Sequence, residues 1–359
     1  MQKAGKIVFA VDKGSFNHAD HAGVNIKVNS QIKQMEKAGF EAELLQYEWK
    51  DGYAQIHPDA DTDFLYFRRI ESSVKLLKTM RNIKKKCNSI KIIMEIPTYP
   101  FAGEDKEKKS VKRKISILIG SMFLHRYVDR IVLSGQLDKI KTLYKIPVIH
   151  IDNGVDFNHI AVNENECRPG GDIHMICVSG CMLSHGYDRM IRGLAEYYKT
   201  SGDLRNVFFH VVGTGECLEE YKKTARESGV PQDKVVFYGR KVGGELDEVY
   251  SNCNIAVAHL ATHRIGIHQL SSLKSCEYVA RGLPMVSSAS LNIINEDTKD
   301  YALYVPEDET PIDIKAVIHF YDTVYGNADV HAVIRNKFMK LCDWEYTFIP
   351  VRNYLTGKE

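Results

Sequence analysis

The amino-acid sequence predicts an α/β protein built from two doubly wound parallel sheets. Short β-rich runs alternate with amphipathic segments of helical length, which is typical of parallel strands joined by right-handed crossovers. The alternation forms two complete series, separated near residues 153–171 by a polar stretch that contains Asn-Glu-Asn-Glu and Arg-Pro-Gly-Gly. A length of 359 residues also suits two domains. We therefore expect two domains, with the cleft between them as the default ligand site.

The two series can be followed in order along the chain. The first has predicted strands at Lys6–Val11, Glu41–Gln46, Phe64–Phe67, Ile90–Glu95, Arg130–Leu133 and Val148–Ile151. Its helical patterns lie near Val24–Lys37, Ser73–Lys86, Lys108–Tyr127 and Leu137–Tyr144. The second has predicted strands at Ile173–Val178, Val207–Val212, Val235–Tyr238, Ile255–Ala258, Met285–Ser288 and Ala302–Val305. Its helical patterns lie near Asp188–Lys199, Cys217–Glu227, Glu245–Tyr250 and Leu270–Arg281.

The net charge of +2 conceals a division between the two halves of the chain. Residues 1–150 hold 27 Lys and Arg against 17 Asp and Glu, and the remainder hold 21 against 29. The whole basic excess lies between Arg68 and Lys114, where 15 basic residues meet five acidic ones. Within it, the run KEKKSVKRK at Lys106–Lys114 immediately precedes the apolar segment Ile115–Leu124.

Such a basic segment with an apolar continuation suits an anionic membrane surface, at about 1 kcal/mol for each cation near the lipid. A solvated face is the simplest alternative, and nucleic acid is the competing anion. Aromatic residues are sparse in this segment, which does not suggest stacking on bases. We therefore favour the membrane surface and expect no nucleic-acid partner.

The eight cysteines indicate a reducing compartment. No CxxC pair occurs, and most cysteines lie in apolar runs, as expected of thiols that serve as small apolar residues. A metal site of Cys177, Cys181 and His185 would lack a nearby fourth ligand. Met1–Lys6 leads directly into the first predicted strand, and the longest apolar stretch is shorter than the roughly 20 residues of a membrane span. We expect a cytoplasmic protein, with peripheral contact to the inner face of the membrane left open.

Two motifs of the second series point to a phosphate ligand. Gly213-Thr214-Gly215 follows a predicted strand, but Leu218 occupies the third glycine position of a dinucleotide fingerprint, so a plain turn and a ligand-facing loop remain equal alternatives. In QLSSLKSCEYVARGLP, at Gln269–Pro284, a serine can cap a helix whose N-terminus suits an anion. Lys274 would be unfavourable in that first turn unless an anion lay beside it. A surface helix with a Lys274–Glu277 pair is the alternative.

These residues carry a resemblance to the bacterial group 1 (family 4) retaining glycosyltransferases of the GT-B fold. Ser271–Pro284 resembles the family signature S-L-K-x-x-E-Y-x-A-x-G-x-P. Further stretches resemble other family motifs: Asp152–Asp156, Gly180–Arg189, Val211–Gly215 and Phe237–Arg240. Tyr66–Arg68 and Glu95–Pro100 resemble a subgroup used in surface-polysaccharide assembly.

The resemblance implies two Rossmann-like domains facing across a cleft. Residues 1–152 would bind the acceptor, with a C-terminal helix (about 343–359) packing back on them, and residues 153–342 would bind the donor. It also implies a peripheral membrane enzyme that transfers a hexose from a nucleotide diphosphate sugar, such as a UDP- or GDP-sugar, to a sugar hydroxyl of a lipid-linked or polysaccharide acceptor. Configuration would be retained, and neither a metal nor another cofactor would be needed.

The family's functional residues carry over by position. Glu277 would bind the ribose hydroxyls, and Ser271, Ser272 and Lys274 would meet the diphosphate or the sugar. Residues expected elsewhere at the donor site are Gly23, Gly180, Gly213, Gly215, Arg240, Lys241, Val242 and Gln269. Arg240 and Lys274 would stabilise the leaving diphosphate.

The sequence departs from the family in two places. Gln269 stands where the first Glu of an E-x7-E pair is common, which removes a charge near the donor sugar. Cys181 and Ser184-His185 stand where the family often has Arg and Lys, so Arg240, Lys274 and Arg189 would have to supply the phosphate charge. A non-catalytic GT-B partner subunit that binds nucleotide or glycan without turnover is the alternative function.

In the first series, Glu95 ends a predicted strand, where a carboxylate could orient or deprotonate the acceptor hydroxyl. A structural role, in which Glu95 satisfies backbone N–H groups, is the equal alternative. Arg68 could pair with Glu95 or bind a phosphate. The residues expected at the acceptor or the membrane are Arg68, Tyr99, Lys108, Lys109 and Lys112. His18 and His21 precede Gly23 in the loop after the first strand. His259, His263 and His268 precede Gln269; one of them could touch the sugar, but each taken singly is more simply interpreted as a polar loop residue.

Overall fold

The computed structural model describes residues 4–17, 22–69, 72–97, 110–135, 140–200, 204–327 and 329–358. The chain divides into two compact units. The first consists of Met1–Gly154 with Trp344–Glu359, and the second of Val155–Asp343. Each unit contains a sheet of mainly parallel strands with helices, so the alternation in the sequence is reproduced twice.

The first unit is built around a seven-stranded sheet of order β2-β1-β5-β6-β7-β9-β8. Its strands, with the short hairpin β3–β4, are β1 (Lys6–Asp12), β2 (Glu41–Tyr47), β3 (Trp49–Lys50), β4 (Tyr53–Ala54), β5 (Phe64–Arg68), β6 (Lys91–Ile96), β7 (Arg130–Ser134), β8 (Thr142–Leu143) and β9 (Ile146–Ile151). Its helices are α1 (Lys13–Asn17), α2 (Ala22–Lys37), α3 (Val74–Lys86) and α4 (Val111–Phe123). Continuous apolar runs such as Ile7–Val11 are buried, as expected of parallel strands covered on both faces.

One predicted helix of this unit is wrong. Residues 142–143 of the segment Leu137–Tyr144 form β8, which pairs antiparallel with the start of β9. Tyr144 and Lys145 between the two strands both have positive φ, of 53° and 63°. Two central residues with positive φ are the signature of a tight hairpin turn, so the segment turns back on itself instead of continuing as a helix.

The second unit is built around a six-stranded, fully parallel sheet of order β12-β11-β10-β13-β15-β17. Its strands, with the small pair β14–β16, are β10 (Ile173–Val178), β11 (Val207–Val212), β12 (Val235–Gly239), β13 (Ile255–Val257), β14 (Gln269–Leu270), β15 (Met285–Ser287), β16 (Ser290–Leu291) and β17 (Ala302–Tyr304). Its helices are α5 (Tyr187–Lys199), α6 (Leu218–Ser228), α7 (Gly244–Ser251), α8 (Leu273–Ala280), α9 (Ile314–Val324) and α10 (Val330–Cys342).

The predicted helix at Leu270–Arg281 is shorter in the structure, because Gln269 and Leu270 form a strand with Ser290 and Leu291. The sequence analysis did not identify α9 and α10. Their buried faces, which include Val317, Tyr321, Ile334 and Phe338, complete the core of the second unit.

The chain ends in the first unit, with α11 (Trp344–Thr347) and α12 (Ile349–Leu355). The single C-terminal helix expected at about 343–359 is thus two short ones. Trp344 and Phe348 are buried, and the ring centroid of Phe348 lies 6.0 Å from that of Tyr66. These aromatic contacts attach the end of the chain to the first unit.

Candidate functional site

Four neighbouring loops of the second unit meet at one edge of its sheet. They follow β10, β11, β12 and β13, which are adjacent and parallel, so all four loops leave from carboxyl ends. Backbone hydrogen bonds join them: Gly213 N donates to Gly239 O at 2.7 Å, and Cys217 N donates to Cys181 O at 2.9 Å. The carboxyl edge is where ligands of such sheets bind.

Glycine occupies positions in these loops for different physical reasons. Gly213 and Gly215 have positive φ, of 127° and 150°, and a Cβ on them would overlap the carbonyl oxygens of Ser179 and Gly180. Loop packing alone therefore requires both glycines. A Cβ on Gly180 would meet nothing nearer than Thr214 O at 3.8 Å, and its φ is not in the left-handed region. Gly180 thus leaves open space at this edge without a packing reason for it.

Lys274 lies in the first turn of α8, which Ser272 caps by accepting a hydrogen bond from Ser275 N at 3.5 Å. Its amine donates to Ala258 O at 2.7 Å and to the Tyr187 hydroxyl at 3.2 Å. The alternative Lys274–Glu277 pair is therefore wrong. Burial lowers the pKa of Lys274 to about 7. Among the described residues, no carboxylate contacts this amine.

The groups that face Lys274 are neutral near pH 7. Burial raises the pKa of the Cys181 thiol to about 11 and holds the pKa of His185 and His259 well below their usual value. The two imidazole rings lie 5.2 Å apart. His185 Nδ1 accepts a hydrogen bond from Met182 N at 3.1 Å, so its proton resides on Nε2. The positions that are often cationic in the family therefore carry no charge here.

Arg189 does not supply the missing phosphate charge, contrary to our expectation. It is fully buried, and its guanidinium donates to the carbonyl oxygens of Leu260, Pro306 and Thr310. Asp308 Oδ1 lies 3.3 Å from Arg189 Nη2. Through these contacts the guanidinium holds the loops that follow β13 and β17.

Glu277 lies one turn after Lys274 and is partly exposed. Its Oε1 accepts from Arg281 Nη2 at 3.3 Å, and Arg281 also pairs with Asp247 at 2.7 Å. Burial raises the pKa of Glu277, and Arg281 opposes that shift. The carboxylate is thus held in place by an arginine at the edge of α8.

The other residues predicted to bind the donor lie on the loop after β12, on β14 and before α8. Arg240 and Val242 are exposed on the loop after β12, and Lys241 Nζ contacts Glu245 at 3.3 Å. Gln269 is exposed on β14, and Ser271 precedes the cap of α8. His263 and His268 contact Glu309 at 2.9 Å and Glu307 at 2.5 Å, respectively.

The first unit contains a buried ion pair. Glu95 is 1% exposed, and its Oε1 lies 2.7 Å from Lys27 Nζ. Its Oε2 accepts from the Tyr66 hydroxyl at 2.6 Å and from Gln31 Nε2 at 3.0 Å. Burial alone would raise the pKa of Glu95, but Lys27 and Arg68 outweigh it and lower the pKa to about 2.

Because Glu95 is buried and its carboxylate oxygens contact Lys27, Tyr66 and Gln31, it is not accessible to an acceptor hydroxyl, so we correct the catalytic prediction for Glu95 to a structural role. Its partners are side chains rather than the backbone groups that the structural alternative invoked. Arg68 Nε lies 3.9 Å from Glu95 Oε1.

Other predicted residues of the first unit are less informative. Gly23 is exposed at the start of α2, and Lys112 is exposed in the first turn of α4. Tyr99, Lys108, Lys109, His18 and His21 lie outside the described residues. No helix in the described parts of the chain is long and apolar enough to span a bilayer. Nor do three His, Cys, Asp or Glu side chains there gather as metal ligands would.

Two residues at this edge were missed by the sequence analysis. Tyr187 contacts Lys274, and Arg264 binds Asp188 at 2.8 Å and Glu309 at 2.6 Å. The only sequence signal for Tyr187 is an aromatic residue directly after the Gly186 cap of α5.

Comparisons with known proteins identify the fold and a family match in the second unit. Residues 174–322 match the family model of glycosyl transferases group 1. The chain is similar over its whole length to a glycosyltransferase from Rickettsia africae, with 12% identity, a TM-score of 0.65 and 100% of both chains covered. The lipopolysaccharide galactosyltransferase WaaB is 14% identical, with a TM-score of 0.57 and coverage of 99% and 100%. No curated protein matches the chain in sequence.

A third similar structure is an α-glucosyltransferase in complex with UDP-glucose and DNA, with 14% identity, a TM-score of 0.57 and coverage of 98% and 99%. The fold of this chain is therefore GT-B, and its second unit contains the group 1 glycosyltransferase match. Together these findings support a transferase enzyme.

Proposed function

We propose that the protein transfers a hexosyl unit from a nucleotide diphosphate sugar to a sugar hydroxyl, with retention of configuration and without a metal. The observation that carries this proposal is the Lys274 amine. It lies in the first turn of α8 and faces the same sheet edge as Gly180, and among the described residues its hydrogen-bond partners are neutral oxygens. A diphosphate at this edge would supply the missing anion, and the amine would stabilise the leaving group.

In this proposal the second unit binds the nucleotide sugar and the first unit binds the acceptor. The acceptor-binding domain would be residues 1–152 with about 343–359, and the donor-binding domain would be residues 153–342. Glu277 would accept hydrogen bonds from the ribose hydroxyls, because Arg281 holds it one turn from Lys274. Arg240 and Lys241, on the loop after β12, would approach the base and the phosphates, and Gln269 would contact the donor sugar without a charge.

The experiment is a thermal-shift screen of UDP- and GDP-sugars, followed by an assay of nucleotide release in the presence and absence of EDTA. A donor that binds only the folded state raises the melting temperature. We expect one class of nucleotide sugar to stabilise the protein and to turn over slowly by hydrolysis, with or without EDTA. Binding without any turnover would favour the non-catalytic alternative, and loss of turnover in EDTA would contradict metal independence.

We further propose that α4 of the first unit rests on an anionic membrane, where a lipid-linked or polysaccharide acceptor would be reached from the cytoplasmic side. The helix exposes an apolar stripe at helical spacing: Val111, Ile115, Leu118, Ile119 and Met122. Leu118 is 61% exposed. Gly120, on the opposite side, is buried against the Ser73 backbone, so α4 is fixed with the stripe outward.

Cations surround the stripe. Lys112, Arg113 and Lys114 are exposed at the start of α4, and α3 beside it exposes five more: Lys75, Lys78, Arg81, Lys85 and Lys86. An apolar stripe with a basic border is the pattern of a helix that lies in a membrane interface.

Cosedimentation with phosphatidylglycerol vesicles tests this proposal. Leu118→Ser with Met122→Ser should release the protein, and so should charge reversal at Lys108, Lys109 and Lys112. Val333→Ser on α10 of the second unit, another exposed apolar side chain, should not. Equal binding of all variants, or equal binding to uncharged phosphatidylcholine vesicles, would refute the membrane role.

A further inference from the structure

Tyr187 lies beneath the candidate donor site, within the family-like stretch Gly180–Arg189, but no role was predicted for it. It is fully buried at the first position of α5. Its hydroxyl oxygen lies 2.9 Å from Ser179 Oγ, 3.2 Å from Lys274 Nζ and 3.5 Å from Ala258 O. One hydroxyl therefore contacts three groups at the carboxyl edge of the sheet.

Each of the three groups belongs to a different segment of the chain. Ser179 follows β10 and begins the loop that contains Gly180, Ala258 follows β13, and Lys274 belongs to α8. Ser179 Oγ also lies 3.2 Å from His185 Nδ1. The Tyr187 hydroxyl thus connects the loop, the strand end and the helix that would together surround a diphosphate.

The ring of Tyr187 is fixed by aromatic neighbours, so its hydroxyl has a defined position. It stacks on His185 at 5.4 Å and packs against Phe209 at 5.8 Å and Tyr221 at 5.6 Å. Burial raises the pKa of Tyr187 well above its usual value, so the hydroxyl stays neutral. It can accept a hydrogen bond from Lys274 and orient the amine, but it cannot neutralise the charge.

The other titratable groups that face Lys274 do not neutralise it either. Burial raises the pKa of the Cys177 and Cys181 thiols and lowers the pKa of His185 and His259. Glu277, on the same helix, contacts Arg281 instead. Within the described part of the chain, the amine is therefore held in place without an anionic partner.

We propose that Tyr187 is a positioning residue of the donor site: its hydroxyl fixes the Lys274 amine between the Ser179 loop and the end of β13, where the amine can meet the diphosphate of a nucleotide sugar. This inference rests on the proposed function of the site. Tyr187 itself need not touch the donor, because it acts through Lys274 and His185.

The first test compares Tyr187→Phe with the unmodified protein in binding UDP-glucose and GDP-glucose by calorimetry. The phenylalanine ring retains the stacking but loses the hydroxyl, and we expect binding of the nucleotide sugar to weaken about two- to tenfold. Tyr325→Phe is the matched control, because Tyr325 is also buried in the second unit and its hydroxyl donates to Asn254 O, which precedes β13 at the amino end of that strand. It should retain full affinity.

The second test is the pH profile, which a purely structural role of Tyr187 would not move. A diphosphate binds best to the protonated amine, so affinity should fall as the pH rises through the pKa of Lys274, about 7. Removal of the hydroxyl takes away an acceptor that favours the ammonium form. In Tyr187→Phe the fall should therefore begin about 0.4 to 1 pH unit lower. The pH dependence of the rate at which acetic anhydride labels Lys274 should also shift to lower pH in Tyr187→Phe. Mass spectrometry follows this labelling, and no nucleotide needs to be present.

The outcomes separate the inference from the proposed function. If neither nucleotide sugar binds the unmodified protein, the proposed function fails. If one binds, and Tyr187→Phe changes neither its affinity nor the Lys274 titration, the positioning role is refuted. Should Tyr187→Phe not fold, Ser179→Ala removes one partner of the hydroxyl, and a smaller loss of affinity is expected. Unchanged affinity in Ser179→Ala would then overturn the inference.

Discussion

Each unit holds a lysine near the carboxyl end of its sheet, and the two differ in their partners. Lys27 in the first unit lies 2.7 Å from the Glu95 carboxylate and also donates to Asn153 Oδ1 and Ser134 Oγ. Within the described residues, Lys274 in the second unit donates to a carbonyl and a hydroxyl and to no carboxylate. The first charge is compensated inside the protein, whereas the second is not.

This difference separates a structural charge from one that is available to a ligand. An internal ion pair contributes to the folded state and has no remaining attraction for a substrate anion. An uncompensated amine costs stability in the folded protein and can recover that cost only when an anion binds. The four predictions below test the contrast, from the largest expected effect to the smallest.

The largest effect is expected from Lys27→Met. It leaves the Glu95 charge buried without its closest cation, which should lower the free energy of unfolding by about 3–5 kcal/mol in urea denaturation. Adding Glu95→Gln should restore much of the loss. Lys13→Met, which breaks the exposed pair with Glu48 at 2.8 Å, is the control and should cost less than about 1 kcal/mol. Equal losses for Lys13→Met and Lys27→Met would refute the structural ion pair.

The same pair predicts a sensitivity to acid. The folded pKa of Glu95, about 2, is below the value of about 4.3 expected in the unfolded chain. Its stabilisation is therefore complete above pH 4.3 and is lost as the pH falls towards 2, with a total of about 3 kcal/mol. Urea denaturation across this range should show a smaller pH slope in the double variant Lys27→Met, Glu95→Gln. An unchanged slope would show that Glu95 is not the group responsible.

The sequence predicted most of the sheet strands, because buried parallel strands are continuous apolar runs; β10 and β11 lie at their predicted bounds. It failed at residues 142–143, where an amphipathic pattern of eight residues fits a helix as well as a hairpin. Only the positive φ of Tyr144 and Lys145 distinguishes the two.

The candidate site was predicted less completely. The motif around Lys274 indicated an anion. Tyr187 precedes Lys274 by 87 residues in the chain, and its sequence context is typical of an ordinary core aromatic residue. Glu95 lies near the end of β6 as expected, but the sequence did not predict its ion pair with Lys27 on α2. Contacts between distant segments are set by the packing of the sheet and leave no local pattern in the sequence.

The third prediction is Lys274→Met, which should have the opposite consequence to Lys27→Met. Loss of a charge-assisted bond to the diphosphate should weaken nucleotide-sugar binding by about 1.5–3 kcal/mol. Stability should be retained or increased, because the variant no longer buries an amine without an anion. Calorimetric binding and the melting temperature measure the two effects. A large loss of stability with unchanged binding would make Lys274 another structural lysine and remove the contrast between the units.

The smallest effect is expected from Glu277→Gln, which tests whether the proposed donor site extends from the diphosphate beside Lys274 to a ribose beside Glu277. The amide retains an acceptor but loses the charge, so binding of the nucleotide sugar should weaken by about 1 kcal/mol. Asp247→Asn is the matched control, because Asp247 shares Arg281 with Glu277, through Arg281 Nη2 at 2.7 Å. If both variants weaken binding equally, the orientation of Arg281 is what matters. If only Glu277→Gln does so, the carboxylate itself meets the ligand, and the ligand site of the second unit extends from the diphosphate to the ribose.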